Sequence, residues 1–216
     1  YSEAFMKGFV QDAVKATARA RDLDIANRKE NLLGTNQFPN FNEKIEREIC
    51  KCVFEPEDMT AEGATVETLK PYRGAQAFEA MRLETDKYAA KNGRPLVYMV
   101  PMGNLAMRKA RAQFACNFFA CAGFQVMDNN GFKTVDEAVK ACLDNKAAIA
   151  VICSSDEEYA EIAPEIFEKL KDKAVVVVAG NPECRPDLEA KGIKNYIHVK
   201  NNVLEELRNY QKMLGI

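Results

Sequence analysis

The chain has 216 residues, a formal net charge of -2 and an isoelectric point near 5.7, so it lacks the positive field that nucleic-acid binding requires. No apolar run approaches the roughly 20 residues of a membrane-spanning helix. We therefore predict partners other than nucleic acid or membrane. A hydrophobic fraction of 47% is ample for a packed core, and the length fits one large domain or one domain with a sizeable extension.

The first 93 residues are predicted to be mainly helical. Because a helical pattern starts directly at Tyr1, we expect the chain to be a fragment of a longer protein. Helical spacing of apolar residues predicts one helix from Ser2 to about Glu30, and turn-forming residues follow up to residue 42. Residues 43–93 are interpreted as a linker. It contains one short helix before residue 69 and a longer helix over Arg73–Lys91.

From Leu96 onward, short apolar runs alternate with amphipathic segments, which is typical of a parallel sheet covered by helices on both faces. The predicted strands are Leu96–Val100, Phe124–Met127, Ala148–Ile152, Ala174–Ala179 and Tyr196–Val199. Thr134 and Glu137 have the spacing of a capping box, and a last helix is predicted over Val203–Leu214. The predicted fold class is α/β. It is a flavodoxin-like, Rossmann-like domain over residues 94–216, with five strands in the order 2-1-3-4-5.

The loop after the first strand is where such a sheet normally binds its ligand. Here the whole stretch Leu96–Met127 contains no Asp, Glu or His, so this loop offers no acid, base or metal ligand. A dinucleotide site is disfavoured because the loop has the single glycine Gly103 instead of a glycine-rich turn. The polar cluster Asp128–Gly131 is better interpreted as a turn.

Two further residues have a functional and a structural interpretation. Ser154, after the third strand, would be a nucleophile only with a base beside it, and the sequence proposes none, so a polar loop is favoured. The third strand also lacks the terminal Asp that a phospho-acceptor domain requires. The single histidine, His198, is either a metal ligand or a hydrogen-bonded residue near the sheet end, and the second interpretation is favoured.

The cysteine pattern indicates a reducing compartment. The seven cysteines are an odd number, and most lie among apolar residues, which predicts an intracellular, cytoplasmic protein. Cys50 and Cys52 have the spacing of half a metal site. No second pair or histidine cluster completes it, so we predict no metal centre.

Taken together, the sequence resembles the methylmalonyl-CoA mutase family, in particular the small, non-catalytic subunit of bacterial heterodimers. Gly8–Gln11 and Leu33–Phe38 resemble the closing segment of the family's substrate-binding TIM barrel, which places residues 1–42 there. Arg73–Arg82 is similar to the helix that leads into the C-terminal domain. Gly123–Val126 and Thr134–Ala138 resemble the family's cobalamin-binding domain.

The resemblance also implies an altered cofactor site. In cobalamin-binding members, an Asp-x-His-x-x-Gly motif follows the first strand, and its His binds cobalt while its Asp orients the imidazole. The later Ser-x-Leu motif corresponds to residues 154–156, and the Gly-Gly motif to residues 179–180. The vestigial cobalamin positions are Ala106, Arg108, Arg111, Ser154, Asp156, Ala179 and Gly180. The resemblance therefore implies that this chain binds no cofactor and carries no catalytic residue.

The resemblance further implies a partner. The family's large subunit holds adenosylcobalamin and converts methylmalonyl-CoA to succinyl-CoA, and this chain is expected to stabilise that subunit. An alternative remains open: a flavodoxin-like module for a small anionic ligand, with Arg108, Lys109 and Arg111 supplying positive charge, or an accessory subunit of another acyl-CoA mutase. A solvated helix face is the simpler interpretation of those three residues.

Overall fold

A computed structural model describes residues 1–43, 63, 65–69 and 73–216 of the chain. The strands are β1 (Leu96–Pro101), β2 (Gln125–Met127), β3 (Ile149–Cys153), β4 (Val175–Ala179) and β5 (Tyr196–Ile197). The helices in the described residues are α1 (Ser2–Met6), α2 (Phe9–Ala26), α3 (Gln76–Asn92), α4 (Leu105–Ala120), α5 (Val135–Asp144), α6 (Tyr159–Leu170), α7 (Arg185–Ala190) and α8 (Val203–Met213).

The five strands form one parallel sheet in the order β2-β1-β3-β4-β5, which confirms the predicted flavodoxin-like winding. The central strands β1, β3 and β4 are almost continuously buried, because helices cover both faces of the sheet. In the register, Pro101 lies opposite Cys153, and Ile152 opposite Val178. The carboxyl ends of these three strands therefore meet at one edge, which we call the carboxyl edge.

Each face of the sheet has its own hydrophobic layer. Helices α3, α4 and α8 cover one face, where the rings of Phe119 and Tyr210 meet edge to face with centroids 5.0 Å apart. Helices α5, α6 and α7 cover the other face, around the fully buried Tyr159 and Ile166. The capping box predicted for α5 is confirmed, since the Thr134 hydroxyl accepts from the Glu137 amide and the Glu137 carboxylate accepts from the Thr134 amide.

The N-terminal segment differs from the prediction in one respect. The single helix expected from Ser2 to about Glu30 is two helices, because Gly8 adopts a φ of 81° between α1 and α2. This left-handed conformation ends one helix and starts the next, and only glycine adopts it without a steric cost. The short linker helix predicted before residue 69 lies largely outside the described residues, as do Cys50 and Cys52.

The turn after α2 is fastened to the sheet domain by polar side chains. Asn36 is fully buried, and its Nδ2 donates to the carbonyls of Ile25 (2.8 Å) and Glu30 (2.9 Å). The Arg28 guanidinium donates to the Asn36 carbonyl at 2.7 Å and to Asn117 Oδ1 on α4 at 3.3 Å. Because these polar groups are satisfied together, residues 25–38 have a fixed position beside α4.

In the described part of the chain, no helix is long and apolar enough to cross a membrane.

Candidate functional site

The carboxyl edge is built from three loops that follow β1, β3 and β4. The loop after β1 ends at Asn104, whose side-chain oxygen accepts from the amides of Ala106 and Met107, both at 3.1 Å. An asparagine at this position satisfies amide groups that the first turn of α4 leaves free. The start of α4 is therefore fixed by the chain's own side chain.

A carboxylate that the sequence analysis did not single out joins the loops after β1 and β3. Glu158 accepts from Ser154 Oγ at 2.5 Å, from Ser155 Oγ at 3.0 Å and from the Asn104 amide at 3.1 Å. These hydrogen bonds, led by the one from Ser154, hold the pKa of Glu158 below its usual value. The carboxylate packs against Gly103, where φ is 70° and any side chain would overlap it.

The sequence contains a pattern that indicates a contact of Glu158 within its own loop. Ser155 precedes Glu158 by three residues just before the apolar pattern of α6, and this spacing is typical of a helix start. The signal predicts a local contact between these two residues. It does not predict the contact with Asn104, which depends on the way parallel strands align their ends.

The structure brings together three of the predicted vestigial positions. Arg111 Nη2 lies 2.9 Å from Asp156 Oδ1, and this ion pair covers Gly180. A Cβ at position 180 would lie 3.3 Å from the Asp156 carboxylate and 3.4 Å from the Arg111 guanidinium carbon. The groove between these loops is therefore occupied by the chain's own charged side chains.

Ser154 and Ala179 lie beneath this pair. Both are fully buried, and Tyr159 connects them, since its hydroxyl accepts from the Ser154 amide at 3.0 Å and donates to the Ala179 carbonyl at 2.6 Å. Burial raises the pKa of Tyr159, which keeps the phenol neutral. The Ser154 hydroxyl is closed off from solvent and lies within hydrogen-bond distance of the Glu158 carboxylate and the Met102 carbonyl.

The remaining two vestigial positions lie apart from the pair. The Ala106 side chain is exposed on the first turn of α4. Arg108 points toward the β2 side, where it donates to the carbonyls of Gly103 and Asn130, both at 3.2 Å. Arg111 is thus separated from the other two basic residues of the alternative interpretation, because it is paired with Asp156 while Arg108 donates to the Asn130 carbonyl.

Among the described residues, no three side chains of the His, Cys, Asp or Glu type are grouped to hold a metal. His198 Nδ1 accepts from the Lys200 amide at 3.2 Å, and partial burial lowers the pKa of the imidazole. This is the hydrogen-bonded position favoured from the sequence. Cys116 is a buried free thiol whose pKa burial raises to about 12.

Fold and site together define a flavodoxin-like α/β domain whose carboxyl edge carries the Arg111–Asp156 ion pair. Over its whole length the chain is 48% identical to the methylmalonyl-CoA mutase small subunit of Porphyromonas gingivalis, of which it spans 34%. It is 31% identical to the small subunit of Streptomyces virginiae, over 83% of this chain and 28% of the relative. The probable small subunit of Mycobacterium bovis is 29% identical, over 96% of this chain and 31% of the relative.

These similarities confirm the resemblance found in the sequence, since all three relatives are named as methylmalonyl-CoA mutase small subunits or probable small subunits. The chain spans about a third of the length of these relatives. No protein-family model matches it.

The Glu158 contacts predict a pH-dependent stability. In Glu158→Gln the charge-assisted hydrogen bonds are lost, and we expect the free energy of unfolding at pH 7 to fall by about 1 kcal/mol. Because the folded pKa of Glu158 is lowered, its stabilisation is complete above the usual value of 4.5 and is lost as the pH falls through the folded value. Urea unfolding of both proteins between pH 3 and pH 8 measures the difference.

The matched control is Glu161→Gln, an exposed carboxylate in the first turn of the same helix. We expect this variant to change the free energy of unfolding by less than about 0.5 kcal/mol. A constant difference between wild type and Glu158→Gln across the whole pH range would contradict the assignment of the contacts to the ionised carboxylate.

Proposed function

We propose that this chain is part of a non-catalytic small subunit of an adenosylcobalamin-dependent methylmalonyl-CoA mutase. In this proposal the holoenzyme is an isomerase that interconverts methylmalonyl-CoA and succinyl-CoA, and the small subunit stabilises a large subunit that binds the cofactor. The observation that carries the proposal is the Arg111–Asp156 ion pair. It stands at the ligand edge of a domain whose relatives are named as mutase small subunits.

The residues at the carboxyl edge do not fit a cobalamin. The position that corresponds to the family's cobalt ligand is Arg108, and a guanidinium has no lone pair to offer a metal. Ala106 has no group that would orient a ligand. Arg111 and Asp156 stand above Gly180, and a cofactor tail would have to separate this ion pair before it reached the loop. For these reasons no step of a reaction is assigned to this chain.

A cytoplasmic location is part of the proposal. The five cysteines in the described residues are all free thiols, and four of them are buried. Unpaired thiols in a chain of this size are typical of a reducing compartment.

The closed edge predicts that the chain does not bind cobalamin. Hydroxocobalamin added to the chain is expected to keep the absorption spectrum of the free compound and to separate from the protein on gel filtration. A mutase large subunit with an intact Asp-x-His-x-x-Gly motif is the positive control, because its histidine changes the cobalt ligation and therefore the spectrum. Co-elution of cobalamin with this chain would contradict the proposal.

The partner is tested by co-expression. An affinity-tagged chain expressed with a mutase large subunit is expected to co-purify with it in equal amounts through a second size-exclusion step. The same large subunit expressed with an unrelated tagged flavodoxin-like domain serves as the control. Two results would contradict the proposal: elution of the two chains as separate species, or turnover of methylmalonyl-CoA by this chain alone in the presence of adenosylcobalamin.

A further inference from the structure

A second cavity lies beside the carboxyl edge and is not used by the proposed function. It is a groove of about 850 Å³ between residues 38–42 and the outer face of α4, with the turn Asp128–Asn130 on its far side. Ligand-binding pockets commonly have volumes of about 300–1,000 Å³. We call this cavity the α4 groove.

One wall of the α4 groove is aromatic, and one of its residues has a left-handed backbone conformation. Phe38 and Phe41 both line the groove, and 64% and 46% of their respective surfaces are exposed. Phe38 has a φ of 49°, a left-handed conformation that a bulky side chain rarely adopts. Such conformations cost free energy and are concentrated at ligand-binding sites, where the surrounding structure holds them in place.

The segment that precedes Phe38 explains how this conformation is held. The buried Asn36 is bonded to the carbonyls of Ile25 and Glu30, and Arg28 donates to the Asn36 carbonyl. The backbone is therefore held in place at Asn36, two residues before Phe38. A wall that is positioned before a ligand arrives lowers the entropic cost of binding.

The charges of the α4 groove favour an anion. Arg108 and Lys109 of α4 line it, whereas Asp128 is the single acidic side chain among its described lining residues. Arg108 donates only to the backbone carbonyls of Gly103 and Asn130, and its buried Nε has no hydrogen-bond partner among the described residues. Within that part of the chain, neither Arg108 nor Lys109 forms an ion pair with a carboxylate. Gly131 allows Arg108 to take this position, since a Cβ at residue 131 would lie 3.1 Å from the guanidinium carbon.

We propose that the α4 groove binds an anion that carries a planar aromatic ring, of the class of nucleoside phosphates. The ring contacts Phe38 and Phe41, and the phosphate group lies at Arg108 and Lys109. Amide side chains of the groove, such as Gln113, supply donors and acceptors for the ring edge. Recognition of this ligand requires both the aromatic rings and the cations. The rings alone do not select for charge, and the two cations alone do not select for a ring. The site is independent of the proposed mutase role.

The probe is ADP, titrated into the full chain by isothermal calorimetry. We expect saturable binding at one site. Adenosine, which has the ring without the charge, and inorganic phosphate, which has the charge without the ring, are each expected to bind at least about tenfold more weakly, a difference of roughly 1.4 kcal/mol.

Two variants and one control assign the binding to the α4 groove. Phe38→Asn removes the ring but keeps a residue that tolerates a left-handed backbone, and we expect ADP affinity to fall about fivefold or more. Lys109→Gln removes an exposed charge and is expected to weaken ADP about threefold. Lys140→Gln, which changes another exposed lysine, on α5, is expected to leave the affinity unchanged. Circular dichroism checks that each variant is folded.

Three results would overturn the proposal. The first is the absence of saturable ADP binding to the folded wild-type chain. The second is phosphate binding as tight as ADP, which would show an anion site without ring recognition. The third is equal ADP affinity in wild type and in both folded groove variants.

Discussion

The carboxylate of Glu158 is the contact on which the carboxyl edge depends. In a parallel sheet the loops that leave the strand ends are outside the ladder of backbone hydrogen bonds, so their polar groups need other partners. One side chain from the start of α6 provides these partners for two loops at once, through Asn104 on one side and Ser154 and Ser155 on the other. The geometry of the edge is therefore set by groups that belong to the chain itself.

The Arg111–Asp156 pair follows from that geometry. Once Glu158 has fixed the loops after β1 and β3, Arg111 and Asp156 face each other across Gly180 at 2.9 Å. An ion pair of this exposure contributes little to stability, on the order of 0–1 kcal/mol. Its importance is spatial, because it occupies the place where an α/β sheet normally receives its ligand.

Most of the fold was predictable from the sequence, because the apolar runs from Leu96 onward are short, buried and separated by amphipathic helices. Strand order, strand bounds within about two residues and the α5 capping box agree with the structure. The break at Gly8 was not predicted, since helical spacing continues across it and depends on side chains rather than on φ. Periodicity reports which face is buried, but not whether the backbone turns within one segment.

The candidate site was predictable only in part. The vestigial positions came from a family resemblance, and the structure shows that Arg111, Asp156 and Gly180 meet while Ala106 and Arg108 do not join them. Glu158 was missed because its partner Asn104 is 54 residues away and is brought close only by strand alignment. The aromatic wall of the α4 groove was missed for the same reason, since Phe38 and Lys109 line one cavity only when the N-terminal segment packs on α4.

Amide hydrogen exchange at the carboxyl edge measures whether the chain's own side chains hold this edge in place. If the chain's own side chains close this edge, the backbone amides of Asn104 and Ser155, which donate to Glu158, exchange slowly in the absence of any ligand. Their exchange rates also stay the same when hydroxocobalamin is added. Fast exchange at both amides, slowed by hydroxocobalamin, would contradict the account, because it would show an open edge that a cofactor orders.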